Sequence, residues 1–497
     1  GDRRPQGPEG YAITAIATDL NIPRQTLVLP NGDILVAEGR GSSAPSLKPK
    51  DVIAGYLKAK GTTSVPSGNR LTLLRDADGD GNYEGRYIFA DNLNAPYGLA
   101  LVGDTLYVAN QDALVRFAYR DGQTEADGPP EKVTDLPSAI NHHWTKALTA
   151  SPDGRFLYVG IGSNSNITER GMTAEVDRAM VWQIDAETGM HKPYATGLRN
   201  PTALAIQPGT DVLWAVVNER DELGPDLVPD YLTHVQEGGF YGWPYAYWGP
   251  NPDPRVMPSD PEKVKATIKP DYALGSHVAA LGLAFSVPEM GSEFAEGVFV
   301  GQHGSWNRNP PVGYKVVFIP FRDGKPAGAP IEFMTGFREQ DGTTYGRPVG
   351  VTVDPRGADG NRLRLRQRLG QRLRVDVLQH LHGDAGMGAQ LLDRLGMQGA
   401  EAEDMAHCRC ASGPRIASRI RACRIEASRG GRTSGSFFSS TLIWAKRGPL
   451  PAWMASRSAC TSAASRISRA SAKPAAFAMP ARSTPCRVCV SCIPVSP

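Results

Sequence analysis

Residues 147–160 read ALTASPDGRFLYVG, and the fold follows from that phrase. A short apolar run is broken by Ser-Pro-Asp-Gly and then resumes as Phe-Leu-Tyr-Val. Pro152 presets its own φ, Asp153 can hydrogen-bond nearby backbone and Gly154 accepts a positive φ, so the break is a turn. Alternating Leu, Tyr and Val on either side suit a half-buried strand. The same phrase returns along the chain as TLVLPNGDILVAEG from Thr26, YGLALVGDTLYVAN from Tyr97 and ALAIQPGTDVLWAV from Ala203. It recurs more loosely as LGLAFSVPEMGSEFAEGVFVG from Leu281, and a sixth copy opens as VGVTVDPRG at Val349. Copies start roughly 50 to 80 residues apart, the range of propeller blades carrying inserted loops. The expectation is an all-β, six-bladed β-propeller, with a short helix over 50–60 in an insertion between the first two blades. A sandwich of hairpins is the alternative, but sandwiches seldom repeat one phrase so often.

Composition divides the chain in two. The 497 residues carry 54 basic and 51 acidic side chains, a net +3, with 41% hydrophobic content, 54 Gly and 40 Pro. That balance excludes a disordered or collagen-like chain, and no apolar run approaches the roughly 18 residues of a membrane helix. All seven cysteines lie at or beyond Cys408, whereas the last tyrosine is Tyr345. Residues 358–497 sum to +14 and residues 1–357 to −11, so the near-neutral total averages two unlike segments.

The sixth copy breaks in mid-phrase. After VTVDPRG the chain continues ADGNRLRLRQRLGQRLRVDV where an apolar strand is due. The segments expected are a polar leader over 1–11, a propeller over 12–357 whose sixth blade is incomplete, and a tail over 358–497 of doubtful fold. The tail's Arg, Ala, Ser, Pro and Cys read as translation out of frame from near Gly357, and on that reading the polypeptide is unstable or inactive as written. Cys486, Cys489 and Cys492 have metal-like spacing but no nearby His, and an Arg/Ser-rich tail without interleaved aromatics is a poor nucleic-acid binder. The first residue is Gly1 and Gly1–Gly10 contain no signal peptide, so a processed leader or a fragment boundary is expected.

In a propeller, loops at one end of the channel converge on a ligand site. Polar clusters flank the repeated strands at Asn141–Lys146, Gly197–Pro201, Asn218–Gly224, Gly301–Arg308 and Tyr345–Pro348. A second pattern, Asp76-Ala-Asp78-Gly-Asp80-Gly, has the spacing of a calcium loop, with Glu84 at the ninth position and Tyr87 in place of the bidentate Glu at the twelfth. The other reading is a plain acidic hairpin turn.

Taken together, SGNRLTLLRDADGDG, HHWTKALTASPDG, TGLRNPTALA, VNERDELG, GGFYGWPY, GQHGSWNR and YGRPVGVTVDPRG resemble the glucose/sorbosone dehydrogenase family over about residues 12–357. The resemblance implies a six-bladed propeller that oxidises a sugar or sugar aldehyde with pyrroloquinoline quinone (PQQ) and calcium, passes electrons to an unidentified acceptor, and is periplasmic or secreted. It implies His143 as general base, with Arg199, Asn200, Arg347 and Arg308 on the cofactor. Calcium would lie in the loop after the fourth blade's strand, at Asp221 and Glu222. Two other readings stand beside it, a calcium-dependent propeller lactonase and a non-enzymatic binding propeller.

Overall fold

The computed structural model describes residues 4–42 and 66–354 with their side chains, and 375–377 and 487–493 as backbone. The expected insertion helix at 50–60 and the cysteine side chains of the tail lie outside the described residues.

Each of the first five copies forms the first two strands of an antiparallel sheet that continues into a third and a fourth strand. Blade 1 comprises Pro23–Val28, Ile34–Glu38, Arg70–Arg75 and Gly85–Ala90; blade 2 comprises Gly98–Val102, Thr105–Ala109, Ala113–Ala118 and Glu131–Asp135. Blade 3 is Lys146–Ala150, Phe156–Ile161, Met180–Asp185 and His191–Thr196, and blade 4 is Pro201–Ile206, Leu213–Val217, Pro229–His234 and Tyr272–Ser276. Blade 5 is Ala280–Phe285, Gly297–Gln302, Lys315–Arg322 and Ile331–Met334. Among the described residues the only α-helix is Pro261–Ala266, and no helix is long and apolar enough to cross a membrane.

The sixth sheet departs from this plan. Its inner strand Arg347–Asp354 pairs antiparallel with Arg487–Ile493, which pairs in parallel with Val375–Val377, itself parallel to Ile13–Thr14. The body thus supplies only the first and last strands. The bare edge expected of Arg347–Asp354 is covered in backbone by RVCVSCI, a β-prone segment of the tail; an unpaired edge is a template for such a partner. Two parallel pairs stand here in place of the hairpin meander of the other five blades. Residues expected as a polar leader lie against blade 5: Gln6 bridges Thr335, and the Tyr11 hydroxyl donates to the Met290 carbonyl at 2.6 Å.

The six first strands ring a central cavity of about 350 Å³, each packed on the next, with Arg347–Asp354 against Pro23–Val28. The Thr352 hydroxyl donates to the Thr26 carbonyl at 2.8 Å across that seam, and Gln25 Nε2 donates to the Leu281 carbonyl at 2.8 Å. Separate apolar clusters fill the wedges between blades, such as Leu35, Leu73 and Phe89 with Leu106, Val108 and Phe117. Near the axis there is no room for side chains at some positions. A Cβ on Gly98 would lie 2.5 Å from the Lys146 carbonyl oxygen, and one on Gly282 would lie 2.2 Å from that of Val349. Because backbone cannot yield as a flexible side chain can, Gly282→Ala should destabilise by ~1–3 kcal/mol and lower the thermal midpoint by several degrees. An unchanged midpoint by calorimetry would mean the ring is looser than this.

Candidate functional site

In each antiparallel blade the first strand runs away from one end of the ring and the second returns to it. Segments entering first strands and segments leaving second strands therefore share that end. His143, Arg199 and Arg347 belong to the former class, and Ser163, Asn218, Asp221 and His303 to the latter.

His143 is held by the segment leaving blade 3's second strand. Its Nδ1 lies 2.9 Å from the Ser163 carbonyl oxygen and 3.0 Å from Ser163 Oγ. The Ser163 hydroxyl donates its own hydrogen to the Ser165 carbonyl at 2.6 Å, so both neighbours of Nδ1 act as acceptors. Nδ1 therefore carries the hydrogen and Nε2 keeps a lone pair. Burial, reinforced by the charges of Arg199 and His142, holds the imidazole well below its ordinary pKa. It is a neutral base at neutral pH. Arg178, itself buried, donates to the His143 carbonyl at 3.1 Å and fixes the loop from behind.

Arg199 and Asn200 are buried beside it. Gly162 permits the approach: a Cβ there would meet Asn200 Oδ1 at 2.3 Å and His143 Cβ at 2.5 Å. Arg199 Nη1 donates to the carbonyls of Asn218 and Glu219 at 3.1 and 2.8 Å. Asn200 Oδ1 and Asn218 Oδ1 are buried without a hydrogen-bond partner among the described residues.

The two predicted calcium ligands part company. The Asp221 carboxylate is inside, accepting from Asn307 Nδ2 at 2.8 Å and lying 3.3 Å from His277 Nδ1. That of Glu222 pairs with Arg255 at 2.6 Å, and both side chains are partly exposed. The neighbouring carboxyls of Glu219 and Asp230 are pushed up to about 7 by burial.

The two predicted cofactor cations also differ. Arg347 is held by the carbonyls of His303, at 2.9 Å, and Gly304, over the Tyr314 ring, and burial lowers its pKa. Arg308 reaches instead to the Asp226 carboxylate at 2.9 Å, on the rim.

The Asp76–Gly81 hairpin joins the third and fourth strands of blade 1, at the end opposite His143. It does gather carboxylates: ligand oxygens of Asp76, Asp78, Asp80 and Glu84 lie within 4.8 Å of one another. Tyr87 is already in the following strand, which is why the twelfth loop position offers no carboxylate.

Sequence reasoning missed Arg24, His277 and Asn166. Arg24 donates from Nε to the Gly39 carbonyl at 2.7 Å over the Trp144 ring, and its charge reaches His303 beside Arg347. It is the second residue of an inner strand, as Arg347 is the first, and that shared position was the available signal. His277 ends an outer strand, with no motif around it.

Residues 5–230 and 252–358 match the family described as TrAA12-like. The chain belongs to this family. The resemblance read from the phrases of the sequence is thereby borne out. Among curated proteins, a pyrroloquinoline quinone-dependent pyranose dehydrogenase of Coprinopsis cinerea is 43% identical over 356 residues, 63% of this chain and 44% of that protein. The chain thus spans less than half the length of that relative. Among solved structures, the Trichoderma reesei carbohydrate-active enzyme of family AA12 aligns with TM-score 0.56 at 20% identity, over 70% of this chain and 92% of its own. The holo PQQ domain of the Coprinopsis cinerea pyranose dehydrogenase aligns with TM-score 0.55 at 18% identity, over 71% and 92%. Both share the propeller fold with this TrAA12-like chain.

One titration checks the site's charge layout. His277 Nε2 faces the Gly224 carbonyl at 3.1 Å while Nδ1 faces Asp221, so two acceptors call for an imidazolium. Burial opposes that charge, but the bonds to Asp221 and Gly224 outweigh it and the pKa is raised. The pair therefore stabilises the fold fully below the ordinary His value, and the contribution is lost as pH rises through the folded one. Asp221→Asn should bring the His277 pKa down to or below about 6.5, read by NMR of labelled histidine. No change on that substitution would remove the ion pair from the account.

Proposed function

We propose that this protein is a PQQ- and calcium-dependent dehydrogenase that oxidises an aldose or a sugar aldehyde of the sorbosone type. The observation that carries the reading is the neutral, tautomer-locked imidazole of His143 beside the fixed guanidinium of Arg199.

The residues present suit the cofactor's chemistry. PQQ is a flat tricarboxylate, and Arg199 and Arg347 at the ring's end give it cations held by carbonyl and amide oxygens. The orphaned Asn200 Oδ1 marks a polar position still open to a ligand. Asp221 and Asn218 offer hard oxygens for calcium, which would act as a Lewis acid; Glu222, taken by Arg255, contributes less. When bound, the quinone supplies the hydride acceptor.

The chain's own part is proton transfer and charge. Nε2 of His143 takes the proton of a sugar hydroxyl, or of a hydrated aldehyde, while Nδ1–H stays on Ser163 and keeps the ring oriented. Arg199 favours negative charge developing on the substrate or acceptor side, and its nearness disfavours a lasting imidazolium. The proton is thus released rather than stored. A periplasmic or secreted setting and an external electron acceptor belong to the same proposal.

Apo protein given PQQ, Ca²⁺ and an artificial acceptor should reduce the dye in the presence of aldoses, and chelating Ca²⁺ should abolish turnover until it is restored. His143→Ala should lower turnover by at least ~10²-fold while PQQ still binds; full activity in that variant would refute the base. Because the His143 pKa is depressed, the acid limb of kcat/KM should fall below pH 6.5. Lactone hydrolysis without PQQ would instead indicate the calcium-dependent lactonase.

A further inference from the structure

Asn166 lies in the segment leaving blade 3's second strand, three residues beyond Ser163, and no pattern in the sequence marks it. Its side-chain amide and its backbone carbonyl are all engaged. The side-chain Oδ1 accepts from Arg199 Nη2 at 2.9 Å and from the Asp221 backbone N–H at 2.8 Å. The side-chain Nδ2 donates to the Asp221 carbonyl at 3.2 Å. The backbone carbonyl accepts from Arg199 Nε at 3.2 Å and from Trp243 Nε1 at 3.1 Å. Two donors on one atom and an acceptor on the other leave no ambiguity in the amide's orientation.

This one residue therefore joins three parts of the chain: the guanidinium entering blade 4, the oxygen-rich segment leaving that blade's second strand, and Trp243 from the long excursion between its third and fourth strands. Arg199 closes the loop by donating to the Asn218 and Glu219 carbonyls of the same segment. An arginine side chain has many rotamers to lose, and a guanidinium acting on developing charge must be in place beforehand.

We propose that Asn166 is a positioning residue that locks Arg199 and residues 218–221 into one unit, so that the guanidinium and the oxygen-rich segment move together or not at all. The inference rests on the dehydrogenase reading for its catalytic meaning, but the coupling itself is a property of the protein alone.

The test is a double-mutant cycle of Asn166→Ala and Arg199→Ala on the full chain, with two readouts. The first uses no cofactor: hydrogen exchange of the peptide spanning 218–222 should rise roughly tenfold in each single variant, about what one anchoring hydrogen bond is worth, and no further in the double. The second is PQQ titration and dye-reduction kinetics, where each single variant should weaken PQQ binding and kcat/KM by at least ~10-fold and the double should add little. Unchanged exchange in Asn166→Ala, or effects that simply add, would overturn the proposal. A wild-type protein that fails to bind PQQ would sink the dehydrogenase reading while leaving the exchange cycle decisive. Should the alanine variant not fold, Asn166→Leu keeps the side-chain volume and removes the acceptor for both Arg199 and the Asp221 N–H; exchange must still rise there, and equality with wild type counts against the lock.

Discussion

Everything at the site depends on the crowding of six first strands around one axis. They approach so closely that Gly98 and Gly282 stand against neighbouring backbone with no space for a Cβ. The separate apolar clusters between blades hold the wedges, but the ring fixes where each wedge ends. Because each blade begins at the same end, residues 143, 199 and 347 come together although more than fifty positions separate each from the next. Hydrogen bonds such as Gln25 to the Leu281 carbonyl tie these strands directly. The loops inherit their precision from the strands rather than from their own structure.

What the ring gathers is positive charge held by dipoles. Arg178, Arg199 and Arg347 are held by backbone carbonyls and, for two of them, an amide oxygen; Lys146, fully buried, donates to the Asn141 side chain and the Trp144 carbonyl. Burial lowers the pKa of Lys146, Arg178 and Arg347. Such groups are hydrogen-bonded, Arg178 Nε excepted, but not neutralised as charges, which leaves a field suited to an anion. Burial, reinforced by the same field, keeps His143 unprotonated. The proposed base and the surface suited to an anion are thus two consequences of one arrangement.

The hairpin phrase made the fold legible, because turn chemistry and strand alternation are local and repeat. The position of the His143 loop was legible too, since it enters a repeated strand; the role proposed for that imidazole came from the resemblance. Individual side-chain directions were not. Asp221 and Glu222 are adjacent in sequence, yet one faces His277 and the other Arg255, a choice made by a left-handed φ of 71° at Glu222 and by partners dozens of residues away. Arg308 and Arg347 look alike as cations in polar loops, but Asp226 draws the first to the rim. Asn166 carried no motif because its importance lies in how many segments it touches, and that number exists only after folding.

The seam at the sixth sheet also bears on how the chain reaches this state. Five blades are meanders whose pairings are mostly local, so each can form soon after its strands are made. The sixth joins Arg347–Asp354 to residues 487–493 and, through 375–377, to residues 13–14. Contacts of such sequence separation carry the largest loop-closure entropy and form late. The ring is thus a gate in time as well as in space: until its last seam is made, the five completed blades are an open arc with exposed edges, and the site's residues exist without yet sharing a centre.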